Sequence, residues 1–218
     1  QLLTSENKFA IISGGIGNFG KINTFQIEVT MYIKRDYYLN RLIAKKDNGL
    51  IKVITGVRRC GKSFLLFTLY KEYLLQSGIP SDCIITLALD NALNAKYRDP
   101  LALSQYIESR ISETKKRYYV FLDEIQFVGR KKTQSNPDIY VTFYDILNGL
   151  IEKGNADIYV TGSNSKMLSK DVVTEFRGRG DELHIAPLSF QEYYSFTGGS
   201  KEEAFSDYML SLIHISEP

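Results

Sequence analysis

Residues 50–63 read LIKVITGVRRCGKS, and the reading of the whole chain works outward from them. Leu50–Thr55 is a short apolar, β-branched run of the kind that forms a buried strand. Gly56-x-x-x-x-Gly61-Lys62-Ser63 follows at once, and Phe64–Leu75 then repeats its apolar residues at helical spacing. Strand, glycine-bounded loop and helix, in that order, form the context in which such a loop holds phosphate. The glycines let the backbone curl so that successive N–H groups face an anion at the positive end of the following helix. Gly56, Val57, Arg58, Arg59, Cys60, Gly61, Lys62 and Ser63 are therefore the candidate nucleotide-binding residues. Lys62 would set a point charge against the β- and γ-phosphates of ATP, and Ser63 would offer its hydroxyl to Mg2+.

Downstream, Tyr118–Leu122 is a second apolar run, and it ends in Asp123-Glu124. Carboxylates at the C-terminal end of a strand sit where open α/β sheets bind ligands. Asp123 is the expected metal-side carboxylate; Glu124 is the expected group that orients and deprotonates a water. Two are required, because a carboxylate engaged with a cation is a poor base. A third run, Asp157–Thr161, closes in Thr161-Gly-Ser163-Asn164-Ser165, whose Ser163 and Asn164 are candidates to touch a γ-phosphate or the attacking water. Arg177 and Arg179 offer guanidinium groups for charge developing in phosphoryl transfer.

The remaining punctuation predicts helices over Asp36–Lys46, Pro100–Thr114, Val141–Lys153 and Ser189–Phe196, the last opened by Ser189 with Glu192 three residues on. It predicts further strands over Cys83–Leu89 and Glu182–Ile185. Strands alternating with helices, and apolar throughout, imply an α/β three-layer sandwich: a five-stranded, mostly parallel sheet covered on both faces. Gly15–Lys21 imitates a phosphate loop, but Ile22 stands where the hydroxyl belongs and a β-branched segment follows, so it reads as a turn.

With 44% hydrophobic and 24% charged residues among 218, the composition is that of a globular domain, and a net charge of +2 gives no reason to expect nucleic acid as partner. No apolar run approaches the roughly 20 residues that cross a bilayer. The two cysteines, Cys60 and Cys83, suit a reducing compartment, so the expectation is a cytoplasmic chain without a membrane partner. The first methionine is Met31, and residues 1–30 are expected to be upstream or non-native sequence. Residues 210–218, LSLIHISEP, resemble a translated sequencing-library adaptor, so the native protein is expected to continue past Met209.

Four stretches occur together: VITGVRRCGKS at 53–63, FLDEIQ at 121–126, TGSNS at 161–165, and GR followed by APLSFQEY at 186–193. In combination they resemble the uncharacterised prokaryotic AAA-type P-loop ATPases whose core precedes a C-terminal domain of unknown function. The resemblance runs over about Tyr32–Met209. It implies an ATPase of the additional-strand, catalytic-glutamate class, with Gly56–Ser63 as nucleotide loop, Asp123 on the metal side and Glu124 as catalytic glutamate. It puts Ser163–Asn164 at the sensor position and Arg179 at the arginine-finger or sensor position, which implies a protein partner or self-association; Arg177 is a second candidate.

Two other functions are open to such a chain. A P-loop phosphotransferase would pass phosphate to a small molecule, though Glu124 beside Asp123 favours water. A nucleic-acid-binding module would use the basic loop at Gly129–Pro137, with Arg130, Lys131 and Lys132 on phosphate backbone. A GTPase is disfavoured, since no Asn-Lys-x-Asp base-reading motif occurs. His184 and His214 lack partners at metal or triad spacing.

Overall fold

A parallel sheet hides both faces, so its strands have to be apolar on both sides. β1 (Ile51–Thr55), β3 (Tyr118–Asp123) and β6 (Ala156–Thr161) have every residue buried, and their few polar members are paired inside the protein. The computed structural model describes residues 32–33, 35–132, 138–162, 175–176 and 178–216. The expectations for residues 1–30, the turn at Gly15–Lys21 and the tip of the basic loop lie outside them.

Five strands run β2-β3-β6-β1-β7, where β2 is Ile84–Ala88 and β7 is Gly180–His184. All neighbouring pairs are parallel. The expected sheet is therefore present, and among the described residues it is parallel throughout rather than mostly so. β7 begins at Gly180, two residues before the predicted Glu182, because backbone pairing with Ile51 and Lys52 continues past the apolar part of the strand. A small antiparallel hairpin, β4 (Lys131–Lys132) with β5 (Tyr140–Val141), stands where the sequence read only a loop.

The helices cover the sheet as predicted, with trimmed ends. α1 (Asp36–Ala44) precedes β1. After the loop, α2 (Lys62–Phe64) passes through a π-helical stretch, Leu65–Tyr70, into α3 (Lys71–Gln76). α4 (Pro100–Arg110) starts on an Asp99 cap and stops four residues short of the predicted Thr114. α5 (Phe143–Glu152) opens with a Thr142–Asp145 capping box, and Gly154, at φ +74, turns the chain beyond its end. α6 (Phe190–Thr197) has the predicted Ser189–Glu192 capping box. α7 (Lys201–Ser216) was not anticipated. Tyr193 is buried and its ring lies 5.7 Å from that of Tyr208, in line with the core reading of the tyrosine-rich 192–196 stretch.

The two faces of the sheet differ in chemistry. Ile51, Val53, Val120, Leu122, Ile158 and Val160 share an aliphatic core with Leu103 and Ile107 of α4 and Leu147 and Leu150 of α5. The opposite face presents Phe121 and Tyr159 to Tyr70 of the π-helical stretch. It also carries Lys52 and Asp157, a fully buried ion pair between adjacent strands. The Tyr159 hydroxyl, at 2.7 Å, and the Asp47 N–H, at 2.9 Å, both donate to the Asp157 carboxylate and share in holding its charge. Desolvation pulls the Lys52 ammonium below the usual lysine range, and Asp157 pulls it back. Removing the carboxylate alone would leave a buried cation unpaired, a loss of about 3–5 kcal/mol. Asp157→Ala should therefore lower the unfolding free energy by that amount in a urea titration; a loss below about 1 kcal/mol would contradict the pairing described.

Candidate functional site

Strand order decides which C-terminal ends meet. β6 lies between β1 and β3, so the loop that leaves β1 and the carboxylates that leave β3 flank the end of β6. The register pairs Leu122 with Val160 and Ile54 with Thr161, which sets Thr161 level with Asp123.

The loop itself is shaped by its backbone. Gly56 has φ +148, and a Cβ there would lie 2.4 Å from the Ile185 carbonyl oxygen and 2.8 Å from Cys60 Sγ. No side chain fits in that space. Gly61 has φ +94 and Arg59 φ +65, the latter an uncommon conformation for a residue with a Cβ. Val57, Arg58 and Arg59 are exposed, whereas Cys60 is buried, and burial raises its thiol pKa. Lys62 is buried at the start of α2, and its ammonium donates to the Gly56 carbonyl at 3.0 Å and the Val57 carbonyl at 2.9 Å. The cation is thus held at the loop by the loop's own acceptors.

Ser63 neighbours the Asp123 carboxylate and favours its charged form. The Thr161 hydroxyl donates to the same carboxylate and accepts from the Glu124 amide at 3.1 Å. Lys62, Ser63, Asp123 and Glu124, drawn from separate stretches of sequence, are therefore brought to one end of the sheet. Burial raises Asp123 above the ordinary carboxylate range, against the opposing pull of the Thr161 hydrogen bond and of neighbouring Ser63. Glu124 leaves the strand with φ +53 and ψ +53, the left-handed region, and its carboxylate accepts from Gln126 Nε2. Strain of this kind in a non-glycine residue is retained where the side chain's direction matters.

Ser163, Asn164 and Arg177 lie outside the described residues. Arg179 is described, and it is not at the loop. Its carbonyl accepts from the Ile51 amide at 2.7 Å and its guanidinium pairs with Glu152 at 2.8 Å. It therefore stands beside the first residue of β1, about 13 Å of strand away from the Thr55 end that carries the loop.

Thr161 was quoted only as the start of the TGSNS stretch. A hydroxyl closing an apolar strand, level with an acidic pair on the neighbouring strand, is the signal that would have singled it out. Arg35 gave no signal at all: it precedes α1, far from every motif, yet it donates to the Cys60 carbonyl at 2.7 Å.

The donor set suits Mg2+. Ser63 and Asp123 supply two hard oxygens, and a cation that keeps waters and shares its shell with phosphate needs few protein ligands. Among the described residues no group of three His, Cys, Asp or Glu converges as a metal site of its own.

Comparison with known proteins gives the family and the fold. A family model described as an AAA domain matches residues 48–194. An uncharacterized protein of Haemophilus influenzae is 40% identical over 162 residues, 74% of this chain and 37% of that protein. An uncharacterized protein of Methanocaldococcus jannaschii is 34% identical over 178 residues, 80% of this chain and 34% of that one. The chain thus spans about a third of the length of these relatives. The structure of C. elegans PCH-2 aligns with a TM-score of 0.52 at 15% identity, over 75% of this chain and 46% of that one, a likeness of fold.

The raised Asp123 pKa has a consequence for stability. A carboxyl whose folded pKa lies above its unfolded value costs stability above the folded pKa, and the cost disappears below the unfolded value of about 4. Without nucleotide or metal, Asp123→Asn should raise Tm at pH 7–8, and the gain should vanish as pH falls toward 4. Thermal melts across that range check this, and an equal gain at every pH would contradict it.

Proposed function

The chain belongs to the AAA domain family, and from that premise we propose that it binds ATP at Gly56–Ser63 and hydrolyses the β–γ anhydride with Mg2+, driving a conformational change in an attached domain or partner. One observation carries the reading: the strand order brings the buried Lys62 of the glycine-bounded loop and Ser63 to the same end of the sheet as the buried Asp123 carboxylate, with Glu124 next in the chain. Such a hydroxyl–carboxylate pair beside a lysine-bearing glycine loop matches the requirements of nucleotide–magnesium binding.

Each residue then has a task set by its place. The amides of the loop and of the first turn of α2 bind the phosphates, helped by the positive end of the helix. Lys62 sets its ammonium against the negative charge of the β- and γ-oxygens. Ser63 and Asp123 would hold Mg2+, which when bound neutralises charge across those oxygens. Glu124 orients a water and accepts its proton as the water oxygen attacks the γ-phosphorus. Its left-handed backbone turns the side chain out of the line of β3. Ser163 and Asn164, which follow the Thr161 end of β6, are retained as sensor candidates.

Arg179 fits only one version of the finger role. Its position beside the start of β1 sets it away from its own loop, so it would serve the nucleotide of a second copy, with self-association as the requirement. The Glu152 pair would have to open for that. The output of the cycle and the partner it acts on belong to the whole protein.

Hydrolysis is tested by purified protein with ATP and Mg2+ and no added acceptor. Glu124→Gln should lower kcat by about a hundredfold or more while ATP affinity stays within a few-fold. Lys62→Ala should weaken ATP binding at least about tenfold. Unchanged affinity in Lys62→Ala would refute the site; phosphate on an added small molecule, instead of free phosphate, would make the protein a phosphotransferase.

A further inference from the structure

We propose that Arg35 is a positioning residue for the phosphate loop, fixing the peptide between Cys60 and Gly61, and that Glu192 at the start of α6 holds Arg35 in place. This rests on the nucleotide reading of Gly56–Ser63 and adds to it a physical link between the loop and the C-terminal helices.

Arg35 is only 5% exposed, and a buried guanidinium has to be paired and hydrogen-bonded to be tolerated. Its donors go to separate parts of the chain. Nη1 donates to the Cys60 carbonyl at 2.7 Å, Nη2 to the Ala186 carbonyl at 3.0 Å, and Nε to Glu192 Oε1 at 3.1 Å. The Tyr38 ring lies 4.5 Å from the guanidinium carbon, and the Tyr38 hydroxyl accepts from the Ala186 amide at 3.1 Å. Only a planar fork with several donors can serve all these acceptors at once; a lysine has one point of charge.

The Cys60 bond is the one that bears on phosphate. In a trans peptide the C=O and the next N–H point in opposite directions. With the Cys60 carbonyl turned to Arg35, the Gly61 amide is turned the other way. A Cβ on Gly61 would meet Nη1 at 3.7 Å, so the guanidinium lies directly against the turn. Arg35 therefore satisfies the acceptor end of a peptide whose donor end is assigned to phosphate. Without it, that carbonyl is a buried acceptor with one partner fewer, and the peptide is freer to flip.

Glu192 carries two duties. Its carboxylate accepts from the Ser189 amide at 2.8 Å, closing the capping box of α6, and from Arg35. The APLSFQEY stretch, which the nucleotide chemistry leaves unused, thus supplies, in Glu192, the residue that anchors the loop's support. A displacement of α6 is transmitted to the Cys60–Gly61 peptide through two side chains.

The test uses the full chain, with ATP affinity read by a fluorescent ATP analogue alongside kcat, KM and Tm. Arg35→Ala should weaken ATP binding tenfold or more, with KM rising more than kcat falls. Arg35→Lys should recover part of the affinity. Glu192→Gln, which keeps an acceptor for Ser189, should weaken binding several-fold, and combined with Arg35→Ala should add little to it. If Arg35→Ala does not fold, Arg35→Lys and Glu192→Gln carry the comparison. Variants that lower Tm but bind ATP as the parent does would overturn the proposal. Lys62→Ala in the same assay separates the two layers: if it too binds normally, the nucleotide reading itself fails, whereas if it binds poorly and the Arg35 and Glu192 variants bind well, only the positioning role fails.

Discussion

A loop that turns its N–H groups toward an anion must turn carbonyls toward the protein, since each peptide has both ends. The stretch between Gly56 and Ser63 depends on that constraint. Its carbonyls at Gly56 and Val57 are met by the Lys62 ammonium, and the one at Cys60 by Arg35. Gly56 approaches Ile185 so closely that a side chain would collide with main chain, and Gly61 and Arg59 take positive φ values. The loop's conformation is therefore imposed from β7, from the segment before α1 and from its own lysine. The sheet exists, in this sense, to bring those supports to one place.

Strand order does the rest. With β6 inserted between β1 and β3, the Thr161 hydroxyl reaches the Asp123 carboxylate and the Glu124 amide together. A single hydroxyl thereby fixes the direction of one acid and the backbone of the next. Burial works against the charge on Asp123 while Ser63 and Thr161 work for it. The balance leaves a carboxylate that gains from a nearby cation.

What the sequence made legible follows from range. Local signals, such as the glycine-bounded loop, apolar strands of five or six residues and the Ser189–Glu192 box, depend on neighbours in the chain, and each is found where expected. The α4 end was misplaced because no glycine or proline marks Arg110, and the apolar Ile111 extends the helical pattern past the last helical turn. Arg35 and Thr161 were missed because their roles exist only through partners on other elements: Arg35 is 25 residues from Cys60 and 157 from Glu192, and Thr161 is 38 from Asp123. Arg179 illustrates the converse. The motif named the residue, but only the strand register shows that it stands at the opposite end of β1 from its own loop.

The buried ion pair bears on the same register. Lys52 and Asp157 look out of place in strands otherwise read as apolar, and burying two charges is rarely the route to greatest stability. Its geometric effect is different. Adjacent strands with plain aliphatic faces could slip by two residues and still bury apolar surface, whereas a slip by one would turn every side chain to the other face. Either shift would separate Lys52 from Asp157 and leave both charges buried and unpaired. On its other side, β6 is fixed against β3 by the bond from Thr161 to Asp123. The charge pair therefore sets β6 against β1 and the hydroxyl sets it against β3, and a chain that needs its three strand ends level with one another has reason to keep a charge pair inside its core.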